Sequence, residues 1–530
     1  MNHAPLTVLL LGLLLWITPL PSASPHADVR LPQMGEPADQ ALSPRDEARV
    51  GRNLMIHARR TLDIDRDHQI SAYLDSLGQQ LATHAGHEPI DGYTFFVIHA
   101  PEINALAAPG GYIGMNTGLI AEAENEAQLA GVLAHEIAHV SQRHIARRIV
   151  DQQAAAPASL AQIVAGILIG TVNPQAGQAA IITGIGRDAQ RQLDFTRSIE
   201  AEADRVGIGI MARAGFHPEG MAEFFEILLR QELGAVDAAP EYLRTHPLSS
   251  RRVAEARDRA REMADTDMRR DTPTFQLMRH RLLALEGQSP RERLARWSAQ
   301  GAHEDPARET ARQYGMALIE LEINEPGAAA ERIARLRADD RDNLHLLLAA
   351  AQADRAMGDF EQADERYRQA RDLHPSSWPA ALDHADLLRQ QGRPEQAAGT
   401  LRRFLREHER IPAVVWREKA RAHDEAGNRT ASREALAEWY TRSHRYDEAV
   451  RQLELALEEV DSDSNAAHRL RSRLDDARTQ QRGRLARDPL ADGLRGLDVD
   501  FGPERVLPDS EAPSPIPVSP SSESTETEAR

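Results

Sequence analysis

Apolar positions recur at three- and four-residue steps through much of this chain, which predicts helices joined by short polar breaks. Between about Asn125 and Asp151 they fall at Leu129, Val132, Leu133, Ile137 and Val140, one side of a single helix. A second helix is predicted from about Arg197 to Ala214, stopped by Gly215. Neither helix contains a proline. The amphipathic stretch from Arg45 to Leu81 predicts two helices. The pattern then changes. "YTFFVIHA" (Tyr93 to Ala100) is rich in β-formers and predicts a strand, and Glu102 to Ile120 predicts two short strands around a Pro109-Gly110-Gly111 turn. Leu160 to Gly186 is apolar but too broken by Gly, Gln and Pro to span a membrane, and on its residues alone predicts a buried helical hairpin.

Beyond "THPLSSRR" (Thr245 to Arg252) the chain is almost wholly helical until about Leu485, and part of it repeats. "GDFEQA" (Gly358 to Ala363) recurs as "GRPEQA" (Gly392 to Ala397), 34 residues on, with Ala370 and Pro375 following Gly358 by 12 and 17 residues. This resembles the tetratricopeptide repeat, a helix pair with small residues where helices touch. "RYDEA" (Arg445 to Ala449) looks like a further unit, although Gly427 breaks a strict 34-residue phase. An unrelated helical bundle with two similar turns is the alternative. Such repeats indicate a partner rather than a reaction.

Composition narrows the functional classes. A chain of 530 residues implies at least two domains. Lys+Arg 63 against Asp+Glu 81 leaves a net charge of −18, which argues against nucleic-acid binding. There is no cysteine, so disulfides, thiol nucleophiles, Cys-zinc sites and a lipoprotein anchor are excluded. "LTVLLLGLLLWITPL" (Leu6 to Leu20), followed by small residues at Pro21 to Ser24, reads as a signal peptide over 1–24, although its leading segment lacks Lys and Arg. A buried first helix is the alternative. Export of a cysteine-free chain fits a bacterial periplasm. Residues 25–44 read as a polar linker, and the Pro/Ser/Glu-rich residues 486–530 as a disordered acidic tail.

The candidate chemistry lies in "VLAHEIAHV" (Val132 to Val140). On a helix, His135 and His139 stand about 40° apart in projection and can share one ion. Glu136 is too poorly placed to bind it with them but can reach a water beside it. Zinc suits this set, because it takes imidazole nitrogen and acidifies water. A catalytic zinc needs a third protein ligand, and "SIEAEADRVG" (Ser198 to Gly207) offers Glu200, with Asp204 on the same face to accept a ligand histidine's free N–H. Glu202 lies about 200° round the helix from Glu200 and is expected to point elsewhere. In isolation this acidic cluster reads as well as a solvated helix face. The longer three-histidine zinc motif fails, because Gln142 and Ile145 stand where Gly and His are needed. His144 is expected about 140° off the ligand face, in solvent.

"HEIAHVSQRH", "EAEADRVGI", "PGGYIGMNTGLI" and "THPLSSRR", all ahead of tetratricopeptide-like repeats, resemble the M48 metallopeptidases. The resemblance implies a mainly α fold with a small β-sheet. A gluzincin-type zinc peptidase domain (45–270) would precede an all-α tetratricopeptide-like solenoid (271–485). It implies one Zn²⁺ per chain on His135, His139 and Glu200, with Glu136 as catalytic acid/base and Asp204 in support. It further implies that His246 caps the zinc's open position at rest, whereas the residues alone suggest a helix-start or surface histidine. Residues 160–186 become a lid or a membrane-surface contact beside the cleft, and the strand around "GGYIGMN" a partner for an extended substrate. The implied function is a periplasmic endopeptidase that degrades unfolded or misassembled outer-membrane proteins and assists their assembly. Its repeats would dock on the β-barrel assembly machinery. The rivals are a repeat chaperone or scaffold with a largely latent protease site, and a peptidase with an unrelated periplasmic substrate.

Overall fold

The computed structural model describes residues 37–155, 189–234, 240–287 and 289–485. The expected signal peptide, most of the linker, the 160–186 segment and the acidic tail lie outside the described residues. Among the described residues no helix is long and apolar enough to cross a membrane.

The expected helix pair over 45–81 is α2 (Pro44–Thr61) and α3 (His68–Ala82), preceded by a short α1 (Pro37–Ala41). The Ser43 and Asp67 side chains accept from backbone N–H groups of the first turns of α2 and α3, which fixes where each begins. The expected strands are β1 (Thr94–Ile98), β2 (Ala105–Ala108) and β3 (Tyr112–Asn116), with the Pro109–Gly111 turn between the last two. Gly111 has φ 92°, and a Cβ there would sit 2.5 Å from the Gly92 carbonyl oxygen, so the turn requires glycine. The sheet order is β1-β3-β2, with β3 parallel to β1 and antiparallel to β2. The "GGYIGMN" strand is therefore central, and its ladder is filled on both sides. It has no free edge for a substrate. Strand order is a tertiary property that the alternation of residues does not carry. The edge strand next to the histidine helix is β2.

After α4 (Thr117–Glu122), the helix expected over 125–151 is two helices, α5 (Glu126–Ser141) and α6 (His144–Ala155). Between them Arg143 takes φ 52°, a left-handed conformation that costs a non-glycine residue about 1–2 kcal/mol. Its side chain offsets that cost by pairing with Asp39, lying 3.2 Å from Glu47 and donating to the Leu42 carbonyl at 2.6 Å. The last residues of the expected linker are thus structural. Ala38, Ala41 and Leu42 are buried against Val50, Ala146 and Ile149.

The chain continues through α7 (Ala189–Arg213), α8 (Glu219–Gly234), α9 (Glu241–Thr245) and α10 (Ser250–Met263), then α11 (Pro273–Leu285) and α12 (Pro290–Ala299). Helix pairs follow: α13 (Pro306–Glu322) with α14 (Pro326–Asp339), α15 (Leu344–Ala356) with α16 (Phe360–Leu373), and α17 (Trp378–Gln390) with α18 (Pro394–Glu407). The last are α19 (Ala413–Glu425), α20 (Arg429–Arg442), α21 (Tyr446–Leu457) and α22 (Asn465–Leu485). Asn324, Gly358, Gly392 and Gly427 all take positive φ, between 64° and 81°, at matching turns. The repeat therefore begins one unit earlier than its glycines indicate, with asparagine in the left-handed position. Gly427 keeps its place in the pattern, one residue late.

The expected division at 270/271 is not a boundary of the core. Phe275, Met278 and Leu282 of α11, with Tyr314 and Leu318 of α13, are buried in the same cluster as Leu74, Ile113, Leu133 and Phe225. Further along, the repeats close onto α3 and the sheet. Arg281 reaches Asp67 at 2.8 Å, His345 Nδ1 meets Gln69 Oε1 at 2.8 Å, and the Tyr112 hydroxyl meets His444 Nε2 at 3.0 Å.

Candidate metal centre

Helix α5 starts at Asn125, whose side chain accepts from the Gln128 N–H, and it is buried along nearly its whole length. It presents His135, Glu136 and His139 from its final turns. Helix α7 passes close enough to deliver Glu200 because Gly207 has no side chain; a Cβ there would lie 3.1 Å from the His135 backbone nitrogen. The segment after α9 brings His246 in from a third direction.

These elements gather four donor atoms, from His135, His139, Glu200 and His246, all within 4.8 Å of one another. His135 Nε2 lies 3.0 Å from His139 Nε2 and 3.4 Å from Glu200 Oε2, and His139 Nε2 lies 3.6 Å from Glu200 Oε1. His246 Nδ1 stands 3.2 Å from Glu200 Oε2 and 3.4 Å from His135 Nε2. Tetrahedral zinc with ligands at 2.0–2.1 Å separates them by about 3.3 Å, so the donor set fits that ion. Glu136 sits beside the group with both carboxylate oxygens buried and, among the described residues, without a hydrogen bond, and Oε1 is 3.5 Å from His246 Nε2. A buried carboxylate without hydrogen bonds is costly, and at a site it marks a group kept free for chemistry.

Asp204 Oδ1 is 3.0 Å from His135 Nδ1, the ring nitrogen facing away from the cluster. Arg252 grips Asp204 with two bonds of 2.8 Å, reaches Glu200 at 3.2 Å and donates to the Pro247 carbonyl at 2.6 Å. Burial works against the charge on each carboxylate. It is outweighed for Glu200 by the surrounding histidines, and for Asp204 by His135 and Arg252, so both stay below the usual carboxylate range. Burial also opposes charge on His135, but Asp204 and Glu200 push it up to about 10. His139 is held well below the ordinary histidine value, first by burial and then by the neighbouring imidazoles.

The expected site residues Glu136, His135, His139, Glu200, Asp204 and His246 thus meet in one place. One expectation changes. His144 is not in solvent: it is 3% exposed, and its Nδ1 is 2.9 Å from His139 Nδ1. The helix breaks at Arg143, so an angle projected along an unbroken helix does not apply to it. Glu202 points away from the ligands and onto His144 and Arg147, and these two, His144 first, hold its carboxyl down. Arg252 and Tyr242 escape a motif reading altogether. Tyr242 stacks on the His246 ring at 4.6 Å, with its hydroxyl buried and without a hydrogen bond among the described residues. Only the helix start at Ser249, shortly after His246, hinted that "SSRR" would turn an arginine back to the site.

A buried histidine-histidine-glutamate cluster with a free glutamate beside it, ahead of a helical repeat array, defines a metallopeptidase carrying a solenoid. Residues 68–260 match Peptidase family M48, residues 348–409 and 382–443 match the tetratricopeptide repeat, and the chain belongs to the M48 family. It is 33% identical over 461 residues to the beta-barrel assembly-enhancing protease of Escherichia coli (strain K12), covering 87% of this chain and 93% of that protein. The protein of the same name from Yersinia pestis is 36% identical over 233 residues, 44% of this chain and 48% of its own. The mitochondrial metalloendopeptidase OMA1 of Arabidopsis thaliana is 31% identical over 173 residues, 32% of each chain.

Proposed function

We propose that this chain is an exported, periplasmic zinc endopeptidase that degrades misassembled outer-membrane proteins and assists their assembly. The repeats are its docking surface for the β-barrel assembly machinery. The observation that carries the reading is that its likeness to the Escherichia coli protease runs through the catalytic half and the repeats together, over 93% of that protein. His135, His139 and Glu200 would hold the zinc, which would supply Lewis acidity to a peptide carbonyl and to water. The free edge of β2 pairs with the extended substrate. Glu136 takes the proton from the attacking water and passes it to the leaving amine. Asp204, itself clamped by Arg252, fixes the ring of His135.

Metal analysis of the purified chain is expected to give one zinc, lost in the His135→Ala/His139→Ala variant. Undiminished zinc in that variant would refute the ligand assignment.

His246, whose donor atom lies with those of His135, His139 and Glu200, would act as a brake by binding the metal in place of water, which favours a second reading in which a latent protease serves mainly as a scaffold. Its ring is steadied by the stacked Tyr242, and its loop by the Arg252 bond to Pro247. His246→Ala is expected to raise peptide hydrolysis and self-cleavage, with zinc content staying near one. Loss of zinc would make His246 a structural ligand, and unchanged hydrolysis would remove the brake.

A further inference from the structure

We infer that His144 is a positioning residue for the metal ligand His139, and that Glu202 holds His144 in turn. The inference rests on the zinc-peptidase reading, in which His139 ligates through Nε2. That atom faces His135 Nε2 and Glu200, so its lone pair is committed to the ion. A neutral imidazole then carries its one proton on Nδ1, and in a buried site this N–H needs an acceptor. The atom 2.9 Å away is Nδ1 of His144. To accept there, His144 must carry its own proton on Nε2, which lies 3.4 Å from Glu202 Oε2. Arg147 binds Glu202 at 2.7 Å and closes the chain.

Two parallel supports result. Arg252 and Asp204 hold His135, while Arg147, Glu202 and His144 hold His139. Both acids come from α7, where they follow Glu200 in the sequence. The second support exists only because of the left-handed Arg143, which ends α5 and returns the chain so that His144 opens α6 against the ligand instead of standing away from it. Arg143 is itself fixed by Asp39, Glu47 and the Leu42 carbonyl, so α1 and α2 are part of the support.

The test is the zinc affinity of the full chain, by competition with a chromophoric chelator, together with the visible absorption of the cobalt-substituted form. His144→Ala is expected to bind zinc about 10–100-fold more weakly and to shift the cobalt spectrum. His144→Asn, whose Oδ1 can accept where Nδ1 did, is expected to recover most of the affinity and the wild-type spectrum. Glu202→Gln is expected to fall between. Equal affinity of His144→Ala and wild type would overturn the inference. So would an equal loss in the Ala and Asn variants accompanied by lower thermal stability of the metal-free chain, the mark of plain packing. A wild-type chain that binds no zinc would instead refute the metal reading itself and the inference with it.

Discussion

Replacing Glu136 by glutamine is expected to lower peptide hydrolysis by about 10²–10⁴-fold, the usual contribution of a positioned acid/base, while zinc stays bound. The side chain is wholly buried, neither oxygen makes a hydrogen bond among the described residues, and Oε1 lies 3.5 Å from His246 Nε2. Glutamine keeps the shape but cannot take up the water's proton. An uncharged amide is cheaper to bury than a carboxylate, so thermal stability is not expected to fall. Hydrolysis within a few-fold of wild type would dismiss Glu136 as the base. The same variant separates the two functional readings. Envelope proteins should accumulate in cells carrying it if the chain works as a protease, whereas a scaffold would show no phenotype.

A chain stopped after Arg270 is expected to be insoluble or to lack a cooperative unfolding transition, in contrast to what the motif boundary suggests. Such a cut removes Phe275, Met278, Leu282, Tyr314 and Leu318 from the cluster that also packs the metal-bearing helix. Opening a core by a single large side chain costs about 2–5 kcal/mol, and whole domains are stable by only about 5–15 kcal/mol. It also strips Asp271, which accepts from the Glu126 N–H at the start of α5. A chain stopped after Leu373 keeps all of this and the helix that covers α15, and is expected to be soluble and to bind zinc. Circular dichroism melts and zinc content of the two fragments decide the matter. A cooperative, zinc-binding fragment ending at Arg270 would show that the peptidase half stands alone.

The site was legible to the extent that it depends on helix geometry. His135 and His139 share a face, Glu200 and Asp204 share another, and the paired turns at Gly358 and Gly392 announce their helices. What the pattern hid depends on contacts far apart in sequence. Arg143 breaks a helix whose apolar periodicity runs straight through it, because Asp39 and Glu47 wait a hundred residues upstream. That break alone moved His144 from solvent to the ligand sphere. The rank of β3 in the sheet follows from a parallel pairing with β1 that alternation cannot encode. The core's passage across residue 270 was hidden because α11 has an ordinary amphipathic pattern and nothing in it names the surface it covers.

One core running from the sheet into the repeats leaves the two halves without a hinge, and the Tyr112 contact with His444 pins the far repeats back onto the strand beside β2. Distances between the site and the first repeats are therefore set by this shared packing. A protein gripped at one point on these repeats would be held at a set span from Glu136, like a cable clamped a measured length from a cutter. Which of its bonds could be reached would then be decided by contour length and slack, before any preference for neighbouring side chains applied.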